Sequence, residues 1–170
     1  MGLSAVTVLG FDRPGVIAAV TRSIAGCGAN VQDSTMTLLG GYVAMMLLVS
    51  GDLDSDELMK RLRAPELVVT ASAVDARRHL CGDGSDLDYV LTVHGPDRPG
   101  IISEVSAVLA ADGGNITGMS TRLSGRLYVL IAEVALPKSV DVAALMRRLA
   151  AVGSLLDSEI TFRPVEPDLL

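Results

Sequence analysis

The sequence predicts an α+β chain made of two small β-α-β-β-α-β sandwiches, each an antiparallel sheet with its helices on one face. Three observations predict it. The stretch Gly10-Phe11-Asp12-Arg13-Pro14-Gly15-Val16-Ile17 recurs as Gly95-Pro96-Asp97-Arg98-Pro99-Gly100-Ile101-Ile102. The repeat extends without a gap at an offset of 85 residues (Asp12 against Asp97), superposing Thr7 on Thr92, Val20 on Val105, Gly28 on Gly113, Asn30 on Asn115 and Gly40 on Gly125. In each copy an apolar run ends, a turn follows, and an amphipathic helical pattern begins. Further on, Leu58-Met59-Lys60-Arg61-Leu62 matches Leu145-Met146-Arg147-Arg148-Leu149 at an offset of 87 (Leu58 against Leu145), so the second copy has a slightly longer connection.

Taken in order, Ala5 to Leu9 is a short β-branched run bounded by Gly10, as a buried strand is. After the corner, Val16, Ile17, Val20 and Ile24 form one apolar stripe at helical spacing, closed by Gly26 and Gly28. Asn30 opens the run Val31 to Leu38, whose polar content suits a sheet edge, and Gly40-Gly41 supplies a hairpin turn. Tyr42 to Val49 is almost wholly apolar and belongs at the centre of a sheet, with Met45 and Met46 in the core. The acidic stretch Asp52 to Asp56 starts a second helix with Leu58 and Leu62 inward; it stops before Pro65, and a strand follows over Glu66 to Val74.

The second copy repeats the order: strand Leu87 to His94, helix Ile101 to Asp112 with Ile101, Ile102, Val105, Val108 and Leu109 as its stripe, strands Asn115 to Leu123 and Leu127 to Leu136, helix Val140 to Val152, strand Leu155 to Phe162. This order fits the ferredoxin-like sandwich, in which both helices cover one face of a four-stranded antiparallel sheet. The opposite face then needs a partner. Four segments result: a first domain over residues 1–76, a polar, Gly-rich linker over 77–86, a second domain over 87–163, and a tail over 164–170 marked by Pro164 and Pro167.

At 49% hydrophobic, 20% charged and 3% aromatic residues, with no Trp, the chain can bury a core, and that core must be aliphatic. Modules this small are marginal alone, so a shared interface or a homo-oligomer is expected. A net charge of −6 argues against direct nucleic-acid binding, which relies on Lys and Arg to neutralise phosphates. The first residues lack a basic region and a long apolar core, and the longest apolar run, Val43 to Val49, falls far short of the ~20 residues that span a bilayer. No membrane partner is expected. Cys27 and Cys81 have no metal-ligand spacing and are too few for a disulfide framework, so the expected setting is the cytoplasm, with reduced thiols. No metal, cofactor or catalytic residue is expected. His94, three residues before Asp97, has no second ligand or base at a usable spacing, and His79 lies by the linker.

The two corners carry the chemistry. Where a strand turns into a helix, the first N–H groups of the helix have no partner within it and attract a small anion. N–H groups around Gly15-Val16 and Gly100-Ile101 suit an α-carboxylate, while the carboxylates of Asp12 and Asp97 and the amide oxygens of Asn30 and Asn115 suit an α-ammonium. Each residue also has a purely structural reading. Asp12 and Asp97 fit helix N-caps, Gly15 and Gly100 a tight turn, Asn30 and Asn115 left-handed turn positions, and Arg13 and Arg98 solvated surface charges.

On Asp12-Arg13-Pro14-Gly15-Val16-Ile17 with Gly28-Ala29-Asn30-Val31, and on Asp97-Arg98-Pro99-Gly100-Ile101-Ile102 with Gly113-Gly114-Asn115-Ile116, the chain resembles the ACT domain family, in tandem. Two such modules without a catalytic domain look most like the glycine cleavage system transcriptional repressor group. The resemblance implies a regulatory protein, not an enzyme, that binds a small amino acid effector and modulates a metabolic or transcriptional partner through protein contacts. It also implies an effector at the strand-to-helix corner near a module interface, touched by Asp12 and Asn30, and by Asp97 and Asn115. This chain departs from the family in having Asp at 12 and 97, where Asn is frequent. The alternative is a ligand-free adaptor or oligomerisation module whose polar second strands pair edge to edge with a partner.

Overall fold

The computed structural model describes residues 2–75 and 86–165. The chain divides into two compact units, Met1–Cys81 and Gly82–Leu170. The expected linker over 77–86, with His79 and Cys81, lies outside the described residues except for Asp86, as does the expected tail beyond Val165.

The first unit runs β1 (Gly2–Phe11), α1 (Val16–Gly26), β2 (Asn30–Leu39), β3 (Tyr42–Gly51), α2 (Ser55–Leu62) and β4 (Leu67–Ala73). The second runs β5 (Asp86–Pro96), α3 (Ile101–Ala111), β6 (Asn115–Ser124), β7 (Leu127–Pro137), α4 (Val142–Leu155) and β8 (Glu159–Pro164). Each unit holds one four-stranded sheet, ordered β2-β3-β1-β4 and β6-β7-β5-β8, with antiparallel neighbours throughout. Both are the sandwich that the pattern predicts, and the apolar strand Tyr42–Gly51 is indeed an inner one.

Alternation along the strands decides the faces. Val6, Val8, Val43, Met45, Leu47 and Val49 point under the helices and pack with Val16, Val20 and Ile24 of α1 and Leu58 and Leu62 of α2. In the second unit the strands send Leu91, Val93, Leu130, Val134 and Leu136 against Ile101, Val105 and Leu109 of α3 and Leu145 and Leu149 of α4. The alternate strand residues form an open sheet face. Met46 lies there, 52% exposed, and not in the core with Met45 as expected, because neighbours on a strand point to opposite sides. Gly40 and Gly41 close the β2–β3 hairpin at φ 60° and 82°, the left-handed pair of a type I′ turn.

The helices differ in how they begin. Asp54 caps α2 by accepting from the Glu57 N–H at 2.8 Å, and Asp141 caps α4 by accepting from the Ala144 N–H at 3.0 Å. By contrast, α1 and α3 begin after Gly15 and Gly100, both left-handed, with no side-chain cap. The last helix also ends later than expected. It runs on to Leu155, past Val152, and β8 starts at Glu159 instead of Leu155. Gly153 is buried within α4, where a Cβ would sit 2.7 Å from the Ser158 carbonyl oxygen, and Asp157 at φ 54° makes the turn. Among the described residues no helix is long and apolar enough to cross a membrane.

Gly153→Ala should therefore reverse the usual helix rule. The methyl gains up to ~1 kcal/mol of helix propensity. Its collision with the Ser158 backbone is expected to leave a net loss of about 1–2 kcal/mol, read as a lower urea midpoint.

Candidate functional site

The corners are built from the end of one strand outward. In the first unit, Phe11 stacks on Tyr42 at 4.5 Å and the Asp12 N–H donates to the Gly41 carbonyl at 2.9 Å, which carries the chain off the sheet. Gly10 lies where the loop into β4 crosses β1, and a Cβ there would sit 2.9 Å from the Glu66 carbonyl oxygen. Gly95 meets the same constraint, with Ser158 Cα at 2.9 Å. Arg13 then pairs with Glu66 at 2.5 Å, and Arg98 with Asp157 at 3.3 Å. The first glycine and the arginine of the repeated stretch thus clasp the loop before the last strand of their own unit. The arginines, expected as solvated charges, are partnered. Exposed pairs contribute only about 0–1 kcal/mol, so their effect is chiefly to position.

Gly15 and Gly100 take φ of 92° and 99°, a conformation that strains any residue with a side chain. Val16 and Ile101 follow and bury their side chains in the core. The Val16 N–H closes the turn on the Arg13 carbonyl at 3.3 Å, which leaves the N–H groups of Ile17 and Ala18 at the open end of α1. Asp12 and Asp97 do not cap: the N-cap positions are Gly15 and Gly100, and neither aspartate carboxylate makes a hydrogen bond or ion pair among the described residues. Ile17 and Ile102, expected on the buried stripes, are 44% and 39% exposed and flank the corners. The first corner opens into a hollow of about 580 Å³ lined by residues 12–18 and Val43, and the second into one of about 300 Å³ that reaches Tyr128.

Asn30 and Asn115 lie elsewhere. Asn30 pairs with Ser50 in the row of Leu3, and Asn115 with Ala135 in the row of Asp88, at the opposite end of each sheet from Phe11 and Pro96. From Leu3 to Phe11 the strand spans about 26 Å at ~3.3 Å per residue. No single unit therefore brings Asp12 and Asn30, or Asp97 and Asn115, to one small ligand. The corners assemble Asp12, Gly15 and Val16 in the first unit, and Asp97, Gly100 and Ile101 in the second. Sequence reasoning passed over the packing role of Gly10 and Gly95, and the available signal was a glycine ending a β-branched strand. Among the described residues no group of three or more His, Cys, Asp or Glu is placed to hold a metal ion, and His94 stands exposed on β5.

Models of the ACT domain match residues 5–69 and 89–154. A glycine cleavage system transcriptional repressor of Escherichia coli (strain K12) is 26% identical over 166 residues, spanning 91% of this chain and 85% of its own. The chain is also similar to an unknown protein of Galdieria sulphuraria of solved structure, 28% identical with a TM-score of 0.82, over 97% of this chain and 99% of that one. A solved candidate glycine cleavage system transcriptional repressor, 16% identical, shares the fold at a TM-score of 0.68 over 98% of each chain.

Substitutions should separate architecture from chemistry at the first corner. Gly10→Ala is expected to lose about 2–3 kcal/mol through the backbone collision, and Gly15→Ala about 1 kcal/mol through strain alone. Asp12→Ala, with no contact to break, should stay within about 0.5 kcal/mol of the parent in denaturant unfolding.

Proposed function

Because the chain belongs to the ACT domain family and carries two of its modules, we propose that it is a cytoplasmic regulatory protein that binds a small amino acid and thereby alters its contact with a protein partner. One observation carries the reading. At each corner an uncapped helix N-terminus stands beside an aspartate whose carboxylate is unengaged among the described residues. The N–H groups of Ile17 and Ala18 suit an α-carboxylate, and Asp12 suits an α-ammonium; Asp97 and the first turn of α3 repeat the arrangement. A zwitterion satisfies both ends. A simple anion would be repelled by the aspartate.

Ile17 and Ile102, partly exposed beside the corners, offer an apolar contact to the ligand's side chain. Asn30 and Asn115 enter such a site only when supplied by another module, and the small size of each module favours a homo-oligomer. The resemblance to a glycine cleavage system transcriptional repressor supports a regulatory output in metabolism or transcription. The net charge of −6 supports an output through protein contacts, without direct nucleic-acid binding. Coupling of the usual size, about 1–3 kcal/mol between effector and partner, would be enough for a switch.

A thermal-shift screen of the full chain against the twenty amino acids tests the reading. A ligand at 100 times its Kd should stabilise the native state by about 2.7 kcal/mol. One or a few small amino acids are expected to raise Tm, and the Asp12→Ala, Asp97→Ala double variant should keep the unliganded Tm while losing the rise. No shift with any amino acid would sink the ligand and leave the adaptor.

A further inference from the structure

The open sheet faces of the two units differ in chemistry although the backbones repeat. In the second unit that face presents His94, Arg122, Glu133, Glu159 and Arg163, all exposed. In the first unit the rows across the sheet read Leu39–Tyr42–Phe11, then Thr37–Ala44–Leu9–Val68, then Thr35–Met46–Thr7–Thr70. Leu39, Val68 and Phe11 are 76%, 65% and 63% exposed, and Met46, Leu9 and Tyr42 are about half exposed. The Thr7 and Thr70 hydroxyls hydrogen-bond to each other, which lowers the penalty of removing them from water. Asp33, on the edge strand, is the charged side chain on this face among the described residues.

The six large apolar side chains adjoin one another and are each about half exposed or more, the kind of contiguous apolar patch that marks an interaction site. Shape selects the occupant. Leu39 and Phe11 project at one end of the face, while Ala5, Met46, Leu48 and Val74, with Asp33, Ser34 and Thr35 of the edge strand, line a hollow of about 340 Å³ toward the other. A face with a projection at one end and a hollow at the other fits itself when turned about a two-fold axis across the strands. The open face of a second unit from a neighbouring chain is a poor match, because it would bury Glu133 and Arg163 against apolar side chains without partners.

We propose that two copies of this chain pair through the open sheet faces of their first units. Leu39 and Phe11 of each copy enter the hollow beside Met46 of the other, next to Asp33, which lies exposed on the edge strand. The pairing does not depend on the corners or on what they bind.

Sedimentation equilibrium of the full chain across the micromolar range tests the pairing, with circular dichroism to check folding. The parent should be heavier than a monomer. Met46→Glu and Leu39→Asp, both at exposed positions that tolerate a charge in the folded chain, should each weaken association at least about 100-fold. Ile131→Glu, in the equivalent row of the second unit, should leave the mass unchanged. A monomeric parent, association that survives either first-unit variant, or dissociation caused by Ile131→Glu would overturn the pairing.

Discussion

The corners depend on the absence of a side chain at Gly10 and Gly95. A Cβ at either position would strike the backbone of the loop that enters the last strand, so only glycine lets that loop lie on the end of the first strand. With the loop in place, Glu66 and Asp157 come within reach of Arg13 and Arg98, and the chain leaves each sheet in a fixed direction. Gly15 and Gly100 then absorb the left-handed turn, and Val16 and Ile101 drop into the core as the helices start. Most of the repeated stretch is therefore architecture. The part left over is a carboxylate beside a helix end.

Much of this was legible in the sequence because the same local demands are met twice. Glycines recur wherever φ is positive in both units, as at Gly15 and Gly100 or Gly28 and Gly113, and the apolar periods change where the elements change. What was misread had a non-local cause. The last helix runs past Val152 because Gly153 lets Ser158 lie against it, and Met46 looks like core until its strand is given two sides. The separation of Asn30 from Asp12 could have been deduced. A strand–helix–strand unit returns the chain to the end from which it started, so the residue that opens β2 must lie beside the beginning of β1 and away from its corner. Spacing along the chain concealed what topology already implied.

The two units also show which positions are free to differ. Inside, each presents aliphatic side chains from matching strands to two helices, and the repeat is close. Outside, the row that holds Thr37, Ala44, Leu9 and Val68 in one unit holds Arg122, Val129, His94 and Glu159 in the other. Packing constrains the covered face because every methylene there has neighbours. The open face answers only to water or to whatever adjoins it, so one backbone can serve two surfaces.

The left-handed starts of α1 and α3 make the corners robust to mutational drift. A capping Ser, Asp or Asn works from an extended backbone, as at Asp54, with φ −72° and ψ 165°. Gly15 and Gly100 sit instead at ψ −4° and −7° with positive φ, where no side chain is aimed at the first-turn N–H groups. A single substitution there would strain the turn without supplying a cap. The exposed N–H groups are thus protected by backbone geometry, and closing them would require rebuilding the loop.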